Sequence, residues 1–500
     1  MKSKIHKIGS IFIFLPLMIL VGSDAALVLV NQVPIMVEFG ITNNFTLIGA
    51  IIAVSLVSHA ICMPIFGYLA DKYQRKWILI SGAGVWALAE FAVYYSPRNI
   101  YIFMMFRIIG SGAAASQAPV TMSLLSDIFS SEKRGNSFAW WGLATTIGSL
   151  GGGLIGTAFN PIFDDTTYKT LETLAEKIAY IETSFSMSDI VKWRIPFLIM
   201  AAGGIFFTIL IFFVKEPKRG SSEKELEQVL ADENVDYSKS YRIKLEDLRY
   251  IYTRKSNFWL IINWVDTVTS GIVTSFLITW ITLEVGLSFE AENLLIAIPY
   301  LLILVGFMLF GQFYFSKRGD KMVQKGDRSG RVKMAILCGV ANIPALLLGF
   351  IFYPNFVNKT FFRGAVDLSA NPWLFYTILI IMAIILGIGF AFVMGIAPNW
   401  YSSMLDVNLP EHRGTMIATA AFLDSIGRAI GSWFGGFMID FFTRQGSPLP
   451  ISDTIVFSTL TFGIVSALLW LPIYKHSKKD FNEIAYILEN RARKLKKQKE

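Results

Sequence analysis

Six ionisable residues interrupt otherwise apolar stretches of this 500-residue sequence: Asp24, Glu90, Arg107, Asp266, Asp424 and Arg428. If those stretches cross a bilayer, each buried charge costs at least about 2.5 to 3.5 kcal/mol, and such residues then mark places where a charged solute binds or a proton is exchanged. Arg107 and Arg428 offer planar forks suited to a carboxylate or phosphate, while Asp24 and Asp266 could carry a proton. Asp424 and Arg428 stand four residues apart, so on a helix they would pair on one face, and self-pairing competes with a functional role. Glu90 is expected near the headgroups at the end of its span, as a structural residue. His59 could relay protons, or simply hydrogen-bond within its bundle. The four histidines, His6, His59, His412 and His476, show no metal-ligand spacing, so no metal is expected. No Gly-x4-Gly-Lys-Ser/Thr loop and no nucleophile with its base are found, so neither a cofactor nor enzymatic chemistry is expected. Cys62 and Cys338 fall inside apolar runs and read as inert thiols.

The elements that must hold these residues follow from composition. Hydrophobic residues make up 54% of the chain and charged residues only 16%, too few charges to coat a soluble globule. Apolar stretches recur near 8–37, 46–70, 77–96, 100–126, 136–159, 193–214, 257–283, 292–316, 331–353, 372–404, 414–441 and 451–474. At about 20 residues per crossing, these predict an all-α, multi-pass membrane protein with twelve transmembrane helices, embedded in the lipid bilayer. The first stretch imitates a signal peptide in its Lys2, Lys4, Lys7 start, but the apolar run continues to Val37 and predicts a retained span. The net charge of +8 does not point to nucleic acid, because the basic residues sit in connections between spans. With the N-terminus inside, 35 basic residues fall on the inner side and 8 on the outer, which predicts both termini in the cytoplasm and a cell-membrane location.

The expected plan is a six-helix bundle over 1–214 with an outer loop at 160–192, a cytoplasmic linker at 215–256, a second six-helix bundle over 257–474, and a basic tail at 475–500. Phe481, Ile484, Leu488 and Leu495 share one side of a helix in that tail, which is expected to lie on anionic headgroups. The outer loop is long enough for a small helix but carries no motif.

Two regions align without gaps at an offset of 279 residues. Each carries Pro-x7-Asp-x6-Arg-Gly: Pro119, Asp127, Arg134 and Gly135 in one, Pro398, Asp406, Arg413 and Gly414 in the other. A glycine every fourth residue follows, at Gly148, Gly152 and Gly156, and at Gly427, Gly431 and Gly435. Apolar helices can share glycines by chance, but hardly the polar trio. An even number of spans per copy gives both the same orientation in the membrane, the parallel kind of repeat. The glycine stripes are expected to let neighbouring helices approach closely.

Gly67-Tyr68-Leu69-Ala70-Asp71-Lys72-Tyr73-Gln74-Arg75-Lys76 resembles the first-loop signature of the major facilitator superfamily, Gly-x-Leu-Ala-Asp-Arg/Lys-x-Gly-Arg-Arg/Lys, with Gln74 in place of the usual glycine. Asp327-Arg328-Ser329-Gly330-Arg331 resembles it again in the second half. Arg107-Ile108-Ile109-Gly110-Ser111-Gly112 resembles the family's Arg-x-x-x-Gly-x-Gly element, one residue short. The resemblance covers nearly the whole chain. The run from Arg107 to Arg134 is similar to the Spinster-like branch and, less closely, to organophosphate and organic-anion carriers. The fifth span lacks the glycine-proline motif of drug/proton antiporters.

This resemblance implies two bundles around one cavity, lined by the first, fourth, seventh and tenth spans, which would make Asp24 and Arg107 neighbours. It also implies a cytoplasmic gate of opposite charges, in which Asp71, Arg75, Asp127 and Arg134 meet Asp327, Arg331, Asp406 and Arg413 while the outer side is open. The expected function is a secondary active transporter of a small organic solute, anionic or amphiphilic, working by alternating access. Its substrate or coupling residues would be Asp24, Arg107, Asp266, Asp424 and Arg428, and its coupling ion a proton or sodium. A lysolipid or hydrophobic-compound exporter and a non-transporting sensor on the same fold are the alternatives, since a fold does not name a substrate.

Overall fold

The computed structural model describes residues 2–41, 44–128, 131–160, 174–214, 216, 254–285, 294–352, 372–408 and 413–499. No strand occurs among them. Lipid offers backbone groups no water to bond, so each apolar run satisfies its own as a helix. The helices are α1 (Lys2–Val30), α2 (Gln32–Glu38), α3 (Phe45–Lys72), α4 (Arg75–Tyr95), α5 (Ile100–Ala114), α6 (Gln117–Ile128), α7 (Ser131–Ala158), α8 (Leu174–Ser184) and α9 (Met187–Ile190). They continue with α10 (Ile195–Ile211), α11 (Lys255–Ile262), α12 (Asp266–Trp280), α13 (Leu294–Gln324), α14 (Gly330–Phe352), α15 (Pro372–Asp406), α16 (Arg413–Arg444), α17 (Pro450–Ser458) and α18 (Ile464–Lys499). Nine stretches among the described residues are long and apolar enough to cross a bilayer. Three expected spans fall outside that set. The fourth is broken between α5 and α6, while α7 and α16 are rich in glycine and α16 also carries Asp424 and Arg428.

Within the first part of the chain α1 lies along α7, and α4 packs on α5 and α10. Within the second, α13 and α14 lie along α15, and α12 lies along α16. Glycine permits the closest of these approaches. A methyl group added at Gly148 or Gly152 would enter the backbone of Ile19 or Ser23 in α1, and Gly156 faces Val30 and Leu27. In the second part Gly427 faces Trp264 and Thr267, Gly431 faces the backbone of Val268, and Gly435 faces Phe276 and Ile272.

Between the two parts α3 runs along α16, and α1 touches α12. This seam is hydrogen-bonded at the end of the molecule opposite the chain termini, here called the far face. Asp440 accepts from the backbone N–H groups of Phe45 and Thr46, both at 2.8 Å, and from the Thr46 hydroxyl at 2.5 Å. It thereby satisfies donors that the first turn of α3 leaves open. Gln32 donates to the Ser275 carbonyl at 2.6 Å and accepts from the Thr279 hydroxyl at 2.9 Å. The loop helix α8 adds to the seam by packing on α2 and on the turn Ile281–Val285, with Ile181 fully buried.

The tail departs from its expected place on the headgroups. α18 continues without a break from its membrane portion into the tail. Phe481 joins a buried cluster with Leu260, Trp400 and Ile473, and Ile484 is buried as well. Asp480 accepts from the Ser256 backbone N–H at 3.3 Å and from its hydroxyl, at the start of α11. Glu483 pairs with Arg254 at 3.1 Å, and Arg254 in turn donates to the Val407 carbonyl at 2.7 Å. An acidic residue would be repelled by anionic headgroups but is favoured at a helix N-terminus, and Phe481 and Ile484 accordingly cover protein. The side chains of Leu488 and Leu495 lie outside the described residues.

Candidate functional site

A cavity of about 250 Å³ lies among α1, α3 and α5. Much of its wall is apolar, with Val21, Val28, Leu29, Ile51 and Leu56, and its polar groups are Asp24, Ser55, His59, Arg107 and Ser111. Local sequence sets the two charges. Asn99 caps α5 by accepting from Tyr101 and Ile102 N–H at 2.9 and 3.3 Å, which fixes the helix that presents Arg107. The Ser23 hydroxyl donates to the Gly148 carbonyl at 2.9 Å and ties the turn carrying Asp24 to α7.

Arg107 Nη1 donates to Asp24 Oδ1 at 2.6 Å and reaches both Glu90 oxygens at 3.1 Å. Trp86 Nε1 donates to Asp24 Oδ2 at 3.3 Å, and the guanidinium lies over the Phe197 ring, 5.5 Å from its centroid. All three charged residues are buried. Among the described residues Arg107 Nε has no hydrogen-bond partner. The expectation for Glu90 is therefore corrected. Far from sitting among headgroups, it is fully enclosed and faces Gly110, where the lack of a side chain makes room for its carboxylate.

The second part of the chain holds a separate group. Asp424 and Arg428 are ion-paired one turn apart on α16, with Arg428 Nε buried and, among the described residues, unpartnered. Asp266 begins α12, directly after the 3₁₀ turn Asn263–Val265. With the Asn263 amide turned to suit its neighbours, it donates to the Ser466 hydroxyl at 3.0 Å and accepts from Trp470 Nε1 at 3.0 Å. Asp424 lies within electrostatic reach of Asp266 and Tyr401, and Arg428 within reach of His59. His59 itself meets the Ser111 carbonyl at 3.2 Å. The five residues expected to act together thus form two clusters, with His59 placed between them.

Of the expected gate, the side chains of Asp71, Asp127, Arg134 and Arg413 lie outside the described residues. Arg75 is buried and pairs with Glu216 at 3.2 Å. Arg331 pairs with Asp320 at 2.8 Å and with Asp406. Asp327 pairs with Lys333 at 2.6 Å, and that ammonium holds its carboxyl below the ordinary value. The pairs of Arg331 and Asp327 join residues within the second part of the chain, and Arg75 pairs with the start of the linker. Sequence reasoning missed a far-face anchor: Glu38 accepts from Trp193 Nε1 at 2.8 Å and from Arg194 Nε at 3.0 Å, and Arg194 also donates to the Val93 and Ser96 carbonyls.

Comparison with known proteins gives this geometry a context. The chain is 27% identical to protein spinster of Drosophila melanogaster over 37% of its own length and 26% of that protein. It is 23% identical to spinster homolog 1 of Xenopus tropicalis over 37% of its length and 30% of that protein. The alignments thus span about a quarter to a third of these relatives. Among solved structures, a bacterial homolog to the human lysosomal transporter Spinster, in an inward-facing and occupied conformation, superposes with a TM-score of 0.67 at 16% identity, covering 94% of this chain and 97% of that one. A D-xylose-proton symporter superposes with a TM-score of 0.56 at 14% identity, covering 91% and 97%. The sequence model of the Major Facilitator Superfamily matches residues 12–405. With that match over most of its length and the apolar helices described above, the chain is an integral multi-pass membrane protein and belongs to the Major Facilitator Superfamily of transporters.

Proposed function

We propose that the protein is a secondary active transporter of an anionic or amphiphilic organic solute, coupled to a proton and working by alternating access. In this reading twelve helices form two bundles, 1–214 and 257–474, related by the parallel repeat, with the basic face and both termini in the cytoplasm. The observation that carries it is the buried Arg107 on the wall of an otherwise largely apolar cavity, with its Nε–H unpartnered among the described residues. Apolar walls with a few convergent polar groups suit a small organic ligand. The second cluster, Asp266, Asp424 and Arg428, would complete the path on the opposite bundle. Hydrogen bonds across the far face support reading this structure as the state closed on that side.

Uptake into proteoliposomes tests the proposal. Radiolabelled organic anions and single-chain anionic amphiphiles should exchange across the membrane, and an inward proton gradient should drive accumulation. A sodium gradient driving it instead would reassign the coupling ion. Exchange of no anionic solute would favour a sensor.

The orientation has its own test. In a Cys62→Ser, Cys338→Ala background, Thr183→Cys should react with an impermeant maleimide on intact cells. Lys478→Cys should react only after permeabilisation. Both positions are exposed in the structure, so the opposite pattern would invert the assignment.

A further inference from the structure

The Arg107 nitrogen Nη1 carries two hydrogens, yet three carboxylate oxygens converge on it, one from Asp24 and two from Glu90. The two carboxyl groups also lie within hydrogen-bond reach of one another. Two carboxyls in contact cannot both ionise in a buried site, and one guanidinium offsets only one of them. A hydrogen bond between them needs a proton. The charged groups facing Glu90 are Asp24 from α1 and Arg107 from α5. α10, which also packs on α4, carries no ionisable residue; its Gly204 meets Trp86 and Ala87, and its Thr208 meets Gly84.

The two acids are not equivalent. Asp24 has one oxygen on Arg107 at 2.6 Å, the other on the Trp86 N–H, and it lines the cavity. Glu90 is wholly buried, both its oxygens stand at the longer 3.1 Å, and it is not part of the cavity wall. We infer that Glu90 is a proton-binding residue, set behind Asp24 and Arg107 and separate from the solute cavity. The step is simple acid–base chemistry: the carboxylate takes one proton from water and becomes a carboxylic acid. An anion binding Arg107 from the cavity competes with Glu90 for the guanidinium and so favours the protonated acid. Linkage makes the effect mutual, so protonated Glu90 tightens anion binding. This rests on the cavity being the solute's path, as proposed above.

Infrared spectroscopy of the purified protein locates the proton. The carbonyl band of a protonated carboxyl should shift when glutamate is ¹³C-labelled at its side-chain carboxyl, stay in place when aspartate is so labelled, and lose intensity in Glu90→Gln. That variant keeps the shape of the side chain and its contact with Arg107. A band that follows the aspartate label, or is unchanged in Glu90→Gln, overturns the assignment. Linkage is read with octyl sulfate, an anionic probe whose charge does not titrate, by thermal stabilisation. Its affinity should strengthen as pH falls in the wild type, by up to about tenfold per pH unit for a single linked proton, and should be flat in Glu90→Gln. Equal pH dependence in both proteins overturns the coupling. Neither readout involves transport. A protein that titrates in this way yet moves no solute in liposomes would refute the transporter reading and leave the proton site standing.

Discussion

Arg107→Ala is expected to lose about 3 to 5 kcal/mol of stability, because it leaves the carboxyl groups of Asp24 and Glu90 buried without their cation. The whole cluster replaced together should behave differently. In Asp24→Asn/Glu90→Gln/Arg107→Met no charge is left to strand, and amide and thioether groups fill similar space, so melting in detergent should return close to that of the wild type. Anion binding should be absent from both proteins. Arg107→Lys separates the two effects further. It keeps a positive charge for the acids, so most of the stability should remain, but an ammonium cannot present the free edge of a planar fork. Octyl sulfate affinity should then fall more than tenfold. An Arg107→Ala protein that melts like the wild type would show that the three side chains do not depend on one another. Retained affinity in the triple variant would remove the guanidinium from recognition.

The cluster also shows what could be read from sequence and what could not. Hydropathy and charge suffice to find the apolar spans and the ionisable residues inside them, because both are local properties of a segment. The neighbourhood of Asp24 and Arg107 came from family resemblance, and the structure places the two in direct contact. Glu90 was misread, although the signal was available. It lies six residues before Ser96, and Arg107 lies seven after Ile100, so in two adjoining antiparallel helices both sit about 10 Å from the same end. Equal depth, with Gly110 opposite, marks them as partners. The tail failed for a different reason. An apolar stripe looks the same whether it meets lipid or protein, and only Asp480 beside Phe481 hinted at a helix N-terminus as its partner. The far-face contacts of Gln32 and Asp440 were not legible at all, since nothing in either segment states which helix lies beside it.

Gly152→Ala is expected to disrupt both the fold and the site, whereas Gly151→Ala, one residue away, should do neither. Helix propensity favours alanine over glycine by about 1 kcal/mol at either position, so propensity alone predicts two stabilised proteins. Packing reverses the sign at only one of them. A methyl at Gly151 meets nothing, while a methyl at Gly152 would overlap the carbonyl group and Cα of Ser23. Those atoms are backbone, so no rotamer change relieves the overlap, and α1 must move away from α7. Overpacking of this kind typically costs about 1 to 3 kcal/mol, and occasionally more. Displacing Ser23 also displaces its neighbour Asp24, whose bond to Arg107 is only 2.6 Å long. Anion binding should therefore fall at least tenfold in Gly152→Ala even at temperatures where the protein remains folded. Gly431→Ala offers the same comparison in the second part of the chain, where the added methyl would enter the backbone of Val268, two residues beyond Asp266. If Gly152→Ala melts and binds as Gly151→Ala does, the stripe is not what sets the distance between α1 and α7. The position of Asp24 must then be held from its other side, by Trp86 and Arg107 themselves.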